Sequence, residues 1–245
     1  MLLHGTNSSR GVWDPLLGQL CEQREVIRLD LPTHGQSPPS SFTPPEWAKD
    51  VAAFMDDLGV ESMPIVGHSS GGWTALELAK LRRANAVLSL APAGLWAKHS
   101  PVVTDVLLSV NWRMGQILGE RALMPLRTKT GRRLALRQIS GRPTEVPTDV
   151  ALATARDAIG SQHFPEHFAQ TRRLRFQDGS TIPASTSVRV VWGAKDRIAR
   201  ASSRRSDELP AHARVETWPG CGHMLMWDAP QRVIDAALAL EVDPS

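Results

Sequence analysis

Residues 64–73 read Pro-Ile-Val-Gly-His-Ser-Ser-Gly-Gly-Trp, a short apolar run that leads through a glycine-flanked serine into a helical pattern extending to Leu81. Ser69 is the centre of a Gly-x-Ser-x-Gly sequence. Small residues two positions before and after the serine let a strand reverse sharply into a helix and leave the hydroxyl exposed. The free N–H groups at the helix start then face any negative charge that develops nearby. The stretch predicts a strand, a tight turn and a helix that present Ser69 as a nucleophile.

A glycine-rich turn between a strand and a helix also occurs in nucleotide-binding proteins. That interpretation predicts a Gly-x-Gly-x-x-Gly sequence or a Lys-Ser/Thr ending, and neither is present here. We therefore interpret Ser69 as a catalytic residue.

Strands and helices alternate outward from this turn. Runs with strand character lie at 25–29, 64–66, 86–90, 188–192 and 214–218. Helical spacing begins after Thr43, which has Glu46 three residues on as in a capping box, and stops at Gly59. A last helix is predicted from near Asp228 to Leu238. The alternation predicts the α/β class, a mostly parallel sheet covered by helices on both faces.

Residues 95–180 differ from the rest of the chain. They contain amphipathic helical stretches, many arginines and no convincing strand. We therefore predict a helical insertion at 95–180 within a core made of residues 1–94 and 181–245.

A serine nucleophile needs a base that accepts its proton and an acid that orients the base. The loops at the carboxyl ends of parallel strands converge, so these partners are expected after later strands. Asp196 follows the strand at 188–192, and His223 follows the strand at 214–218. The chain order Ser69, Asp196, His223 is the order of nucleophile-elbow enzymes.

Other acidic residues and histidines fit these roles less well. Asp178 precedes Gly179 and Ser180, as in an ordinary turn, and His68 is expected to point toward the core side of the serine turn. The remaining histidines are expected to bond the backbone of tight turns, or to lie in the insertion or on surface-like segments: His4, His34, His99, His163, His167 and His212.

An acyl-transfer site also needs two N–H donors for the oxyanion. One is predicted to be the N–H of Ser70, at the helix start. The other is expected from the turn after Leu2-Leu3, with Thr6 as the first choice and Gly5 as the alternative.

The composition is that of an ordinary globular protein. The chain has 245 residues, 42% hydrophobic and 22% charged, which allows one large domain with an insertion. No apolar stretch approaches the roughly 20 residues of a membrane helix, and the N-terminus has no signal-peptide pattern. Cys21 and Cys221 fit neither a disulfide framework nor a metal site. We therefore expect a cytoplasmic protein with no metal and no membrane partner.

The net charge of +3 is unevenly distributed, because residues 95–180 carry 13 Lys/Arg against 7 Asp/Glu. Such a segment could attract an anionic substrate through its field, or its arginines could form a solvated helical face. No basic run is interleaved with aromatic residues, so nucleic-acid binding is not expected.

The chain resembles the α/β-hydrolase superfamily, in its esterase, lipase and C–C hydrolase branch, because it contains the motifs of that family in the same order along nearly its whole length. The resemblance rests on the following segments: His4-Gly5, Asp-Leu-Pro-Thr-His-Gly-Gln-Ser at 30–37, the turn at 67–71, Gly-Ala-Lys-Asp at 193–196, and Gly222-His223. It implies that the insertion is a helical cap over the active site and that no cofactor is required.

The chain departs from the family pattern at its start. Family members normally begin with two more strands, whereas only Met1-Leu2-Leu3 precedes His4 here. From this comparison we expect about 20 or more further residues upstream, or else a short form that folds poorly or is inactive.

The resemblance also narrows the reaction. Epoxide hydrolases and haloalkane dehalogenases attack with an aspartate, where this chain has Ser69, and the epoxide hydrolases keep cap tyrosines, of which this chain has none. Hydroxynitrile lyases also have a threonine at the position of Thr6, but they keep a lysine where Met224 stands. We therefore predict cleavage of a small-molecule carboxylic ester through an acyl-enzyme. Thioester or C–C bond hydrolysis, cofactor-free perhydrolase (haloperoxidase-type) activity and a non-catalytic paralogue are the alternatives.

Large apolar side chains near the motifs are candidates for the substrate pocket. We predict that Trp73, Trp96 and Met224 contact the substrate, although side chains at helical spacing are at least as often part of the core.

Overall fold

The computed structural model describes residues 1–97 and 100–240. Residues 98–99 of the predicted insertion, including His99, and residues 241–245 of the predicted core lie outside the described residues.

The five strand-like runs and the short segment Leu2–Leu3 form one six-stranded sheet. Its strands are β1 (Leu2–Leu3), β2 (Arg28–Leu29), β3 (Met63–His68), β4 (Ala84–Leu90), β5 (Ser187–Gly193) and β6 (Arg214–Trp218). Their spatial order is β2-β1-β3-β4-β5-β6, and all neighbours run parallel. The carboxyl ends of β1, β3, β5 and β6 therefore lie at one edge of the sheet. The predicted α/β class is confirmed.

Helices cover both faces of this sheet. They are α1 (Asp14–Cys21), α2 (Pro44–Asp57), α3 (Ser70–Lys80), α4 (Val102–Leu118), α5 (Lys129–Ala135), α6 (Thr148–Gly160), α7 (Phe164–Thr171), α8 (Leu225–Asp228) and α9 (Pro230–Leu238), with 3-10 helices at Arg10–Trp13, Gly119–Arg127, Gly179–Thr181 and Ala201–Ser203. Helix α1 packs against α9, and α2 packs against α3.

Two elements differ from the sequence prediction. The strand predicted at 25–29 is reduced to Arg28–Leu29, because among the described residues it pairs with the two-residue strand β1 alone. The helix predicted from near Asp228 is interrupted at Ala229, and α9 begins at Pro230. Proline has no N–H to continue the helix before it, but its fixed φ suits a first helical turn.

The start of α2 agrees with the sequence. The Glu46 carboxylate accepts a hydrogen bond from the Thr43 N–H at 3.1 Å and another from the Thr43 hydroxyl at 2.8 Å. This pairing satisfies an N–H group that the first helical turn leaves without a partner.

The main core lies between the sheet and its helices. Several tryptophans are its largest fully buried side chains: Trp13, Trp47, Trp73 and Trp218. A second apolar cluster lies within the segment between β4 and β5, and its buried members are Leu123, Leu126, Leu136, Val146 and Ala151. The 3-10 helix Gly119–Arg127 and helix α6 therefore pack on each other through an apolar cluster of their own.

Candidate active site

The turn between β3 and α3 holds Ser69 in a rare backbone conformation. Its φ of 54° and ψ of −118° lie outside the regions that side-chain-bearing residues usually adopt. The turn is closed so tightly that a methyl group at Gly67 would lie 2.2 Å from the carbonyl oxygen of Gly71. The Ser69 N–H donates to the carbonyl of Leu90 at the end of β4, 2.9 Å away. These contacts impose the strained conformation, which costs of order 1–3 kcal/mol.

The turn after β1 lies directly against the serine. A methyl group at Gly5 would lie 2.8 Å from the Ser69 Cβ and 3.1 Å from Nδ1 of His68, so only glycine fits without a shift. The next residue, Thr6, has its hydroxyl oxygen 2.6 Å from that of Ser70. Ser70 is the first residue of α3, so its N–H has no acceptor within the helix. The two predicted oxyanion donors are therefore on adjoining turns.

The predicted acid and base form a hydrogen-bonded pair. Oδ2 of Asp196 lies 2.9 Å from Nδ1 of His223, and both side chains are buried. The other carboxylate oxygen accepts the N–H groups of Ile198 and Ala199 at 2.8 and 2.9 Å. Burial acts to raise the pKa of Asp196, but the interaction with His223 and these N–H donors outweighs it and lowers the pKa below its ordinary value.

An ionised carboxylate beside Nδ1 requires that nitrogen to carry the proton. The basic nitrogen of His223 is then Nε2, which is the tautomer a general base needs. The alternative acid, Asp178, is exposed and precedes the 3-10 helix Gly179–Thr181, away from this pair.

A cavity of about 530 Å³ connects these groups. Ser69, Thr6, Ser70 and His223 lie on its wall, which is otherwise mostly apolar. The segment between β4 and β5, where the insertion is predicted, supplies much of that wall: Thr104, Leu108, Trp112, Leu118, Leu123, Leu136, Ile159, His167 and Phe168. Among the described residues, the Ser69 hydroxyl has no hydrogen-bond partner, and no bond joins it to His223. In hydrolases the hydrogen bond between the nucleophile and its base often forms only when substrate binds.

Two of the three predicted pocket residues lie on this wall. Trp96 and Met224 line the cavity. Trp73 does not, because its side chain is fully buried and its indole N–H donates to the Glu77 carboxylate at 2.9 Å. The first turn of α3 directs the Trp73 side chain into the core, so this geometry does not support the prediction that Trp73 contacts substrate.

The other histidines at this edge of the sheet hold turns in place. His68 is buried, and its Nε2 lies 3.1 Å from the carbonyl of His223. Burial, and then the neighbouring His223, lower the pKa of His68 to about 3.

His4 spans two turns, with Nδ1 2.8 Å from the carbonyl of Gly5 and Nε2 accepting the N–H of Leu31 at 3.0 Å. His34 contacts the carbonyl of Pro32 at 3.0 Å.

Two residues that sequence reasoning missed also reach the site. His167 of α7 is buried, and its Nε2 lies 2.8 Å from the Thr6 hydroxyl. The buried carboxylate of Asp228 accepts the N–H of Gly222 at 2.6 Å and that of Gly141 at 2.8 Å, which fixes the turn before His223. Neither residue stands in a motif. Only the position of Asp228 near a predicted helix start drew attention to it.

Within the described part of the chain, no three His, Cys, Asp or Glu side chains come together as a metal site requires. No helix among residues 1–97 and 100–240 has the length and apolar character needed to cross a membrane.

Comparisons with known proteins agree with this architecture. The model of the alpha/beta hydrolase family matches residues 1–236. The epoxide hydrolase EphH of Mycobacterium tuberculosis is 34% identical over 198 residues, which are 77% of this chain and 90% of that protein.

Two solved structures are similar in fold. A hydrolase from Pseudomonas aeruginosa PA01 has a TM-score of 0.73 at 22% identity, over 97% of this chain and 87% of that one. The meta-cleavage product hydrolase CumD of Pseudomonas fluorescens IP01 has a TM-score of 0.72 at 20% identity, over 97% and 88% of the two chains. At these identities the structural likeness shows the fold alone.

Proposed function

Because the chain belongs to the alpha/beta hydrolase family and is a hydrolase, we propose that it cleaves small-molecule carboxylic esters with Ser69 as the nucleophile. His223 is the general base and Asp196 orients it. The observation that carries the proposal is that Ser69, on its strained turn, and His223, bonded to Asp196 at 2.9 Å, line one cavity.

In this mechanism Nε2 of His223 removes the Ser69 proton as the serine oxygen attacks the carbonyl carbon. The N–H groups of Ser70 and Thr6 stabilise the oxyanion of the tetrahedral intermediate. The imidazolium then gives its proton to the leaving alcohol, and an acyl-enzyme remains. A water molecule, deprotonated by His223, attacks the acyl carbon, and collapse of the second intermediate releases the acid and restores Ser69.

The relative named as an epoxide hydrolase does not determine the reaction of this chain. Family members that open epoxides attack with an aspartate, and Ser69 stands at the attacking position here. The chain also contains no tyrosine, which removes the phenols that assist ring opening in those enzymes. These two differences support acyl transfer.

The cavity wall supports an apolar substrate. Leu95, Leu108, Leu123 and Phe168 lie on it, with a volume in the middle of the range for small-molecule sites. We therefore propose that the acyl or alkoxy group is mainly hydrocarbon. The alternative reactions are thioester hydrolysis, C–C bond hydrolysis and perhydrolysis, because each can proceed with the same catalytic groups.

The experiment is hydrolysis of a short p-nitrophenyl ester by the wild type and by Ser69→Ala. We expect Ser69→Ala to lower kcat by roughly 10⁴-fold or more, because no other group can form the acyl-enzyme. Ser180→Ala, which changes an exposed serine, is the matched control and should behave as wild type. Turnover by Ser69→Ala near the wild-type rate would refute the assignment.

A fluorophosphonate probe separates an enzyme from a non-catalytic paralogue, because only an activated serine reacts with it. We expect labelling of the wild type at Ser69 and none of Ser69→Ala. A panel of oxygen esters, thioesters and C–C substrates then identifies the reaction among those that share these residues.

A further inference from the structure

A single chain of hydrogen bonds joins the inserted segment to the predicted oxyanion turns. Nε2 of His167, in α7, lies 2.8 Å from the Thr6 hydroxyl oxygen, which lies 2.6 Å from the Ser70 hydroxyl oxygen. The other ring nitrogen of His167, Nδ1, lies 2.6 Å from the carbonyl oxygen of Phe42, just before α2. Thr6 and Phe42 thus meet at the buried imidazole of α7, and Ser70 joins them through Thr6.

The chemistry of the bonding groups assigns a direction to each bond in this chain. The Thr171 hydroxyl, 3.1 Å from Nδ1 of His167, donates its own proton to the carbonyl of Phe42 at 3.2 Å. A carbonyl oxygen only accepts, so Nδ1 of His167 carries a proton. Burial, and then the neighbouring His34, lower the pKa of His167 to about 3, so the ring is neutral at pH 7 and Nε2 is an acceptor. The Thr6 hydroxyl therefore donates to Nε2, and the Ser70 hydroxyl donates to Thr6.

The imidazole is held in this orientation by its surroundings. It stacks on the indole of Trp47, with ring centroids 4.6 Å apart and planes 22° apart. Trp47 is fully buried, and its indole N–H donates to the carbonyl of Ser41 at 3.1 Å. Rotation of the His167 ring would break its bonds to Phe42 and Thr6 and lose the stacking, so the ring provides a fixed acceptor.

We propose that His167 is a positioning residue for the oxyanion hole. By accepting the Thr6 proton, it holds the turn after β1 so that the N–H groups of Thr6 and Ser70 point at the same substrate oxygen. The two hydroxyl protons are committed within the chain, so the main-chain N–H groups stabilise the oxyanion. This inference rests on the proposed function, and it makes the seating of α7 on the core a condition for catalysis.

Paired substitutions separate the two bonds of the ring. In His167→Asn the side-chain amide can still donate to Phe42 but does not reach Thr6, whereas in His167→Gln the longer amide can accept from Thr6. We expect His167→Asn to lower kcat for the p-nitrophenyl ester roughly 10- to 100-fold with little change in KM, since a displaced oxyanion donor weakens transition-state binding. His167→Gln should recover most of that loss.

A double-mutant cycle tests the path through Thr6. Thr6→Val removes, at nearly constant shape, both the proton donated to His167 and the acceptor of the Ser70 hydroxyl, so we expect it to lower kcat at least as much as His167→Asn does. The double variant should lose little more than Thr6→Val alone, because the bond between Thr6 and His167 is already absent there. His212→Asn is the matched control, because it replaces a histidine that also bonds a main-chain carbonyl, that of Thr186 at 3.0 Å, on a remote part of the fold.

The tautomer of His167 gives a readout that does not depend on activity. Long-range ¹H–¹⁵N correlation at pH 7 should show the proton on Nδ1. A proton on Nε2, an unchanged kcat in His167→Asn, or equal losses in the Asn and Gln variants would overturn the inference. Turnover that depends on Ser69 but not on His167 overturns the inference alone, whereas wild-type turnover that is absent or independent of Ser69 overturns both proposals.

Discussion

The folded protein buries several neutral histidines, so acidification from pH 7 to pH 5 should destabilise it strongly. Burial lowers the pKa values of His4, His68 and His167 to about 3 each, against an ordinary value of 6.5. In the unfolded chain each of them binds a proton as the pH falls below 6.5, whereas in the folded chain each binds one only near pH 3. The lowered pKa values therefore give stability that is complete above pH 6.5 and is lost as the pH falls toward 3.

The magnitude follows from the proton balance. Between pH 7 and pH 5, one such histidine reduces the free energy of unfolding by about 2 kcal/mol, and three reduce it by about 6 kcal/mol. Since domains of this kind have roughly 5–15 kcal/mol of total stability, this loss is a large share of the free energy of unfolding. The lowered pKa of Asp196 acts in a lower pH range, because its ordinary value is already 3.8.

Urea unfolding followed by tryptophan fluorescence at pH 7, 6 and 5 measures this effect, and the chain has 8 tryptophans to report it. His167→Asn removes one of the buried imidazoles, so its pH dependence should be shallower by about 2 kcal/mol over the same range, whatever its stability at pH 7. A free energy of unfolding that is the same at pH 7 and pH 5, or an identical pH dependence in His167→Asn, would refute the reasoning.

Two further substitutions test the site. Gly5→Ala places a methyl group 2.8 Å from the Ser69 Cβ, so we expect about 1–3 kcal/mol of lost stability in urea unfolding together with reduced turnover. Gly18→Ala is its control, because a methyl group there meets nothing within 4 Å and a helix interior favours alanine; equal stability changes in the two variants would contradict the packing argument. Asp196→Asn should lower kcat by about 10⁴-fold, because the imidazole loses the partner that sets its tautomer. Asp178→Asn, at an exposed position, should not change kcat, and a loss of less than tenfold in Asp196→Asn would remove Asp196 from the proposed triad.

The sequence predicts those parts of the fold that depend on local patterns. The strand at 214–218 has the predicted bounds, and the Thr43–Glu46 cap starts α2 as expected. The turn at Ser69 follows from glycine sterics within five residues, and Asp196 and His223 are bonded as their positions after two strands suggest. In each case a few neighbouring residues, or the parallel topology they imply, carry the information.

The sequence does not predict contacts that join distant segments without a motif. The bond between Thr6 and His167 spans 161 residues, and that between Phe42 and His167 spans 125. The residues next to His167 in the sequence do not distinguish it from a surface histidine, because the side chains that bury it, such as Trp47, come from distant parts of the sequence. Trp73 illustrates the converse, since its place near the Ser69 turn suggests substrate contact, whereas helix α3 directs its side chain into the core.

The backbone of residue 69 has a consequence for how this protein could change its chemistry. Its positive φ is imposed by the close approach of Gly67 to Gly71 and by the bond from the Ser69 N–H to Leu90, and none of these contacts involves the serine hydroxyl. The same backbone position could therefore hold a carboxylate or a thiol side chain. Under the proposed mechanism, the backbone of the turn therefore sets the direction from which residue 69 attacks, and the side chain at that position sets the attacking atom.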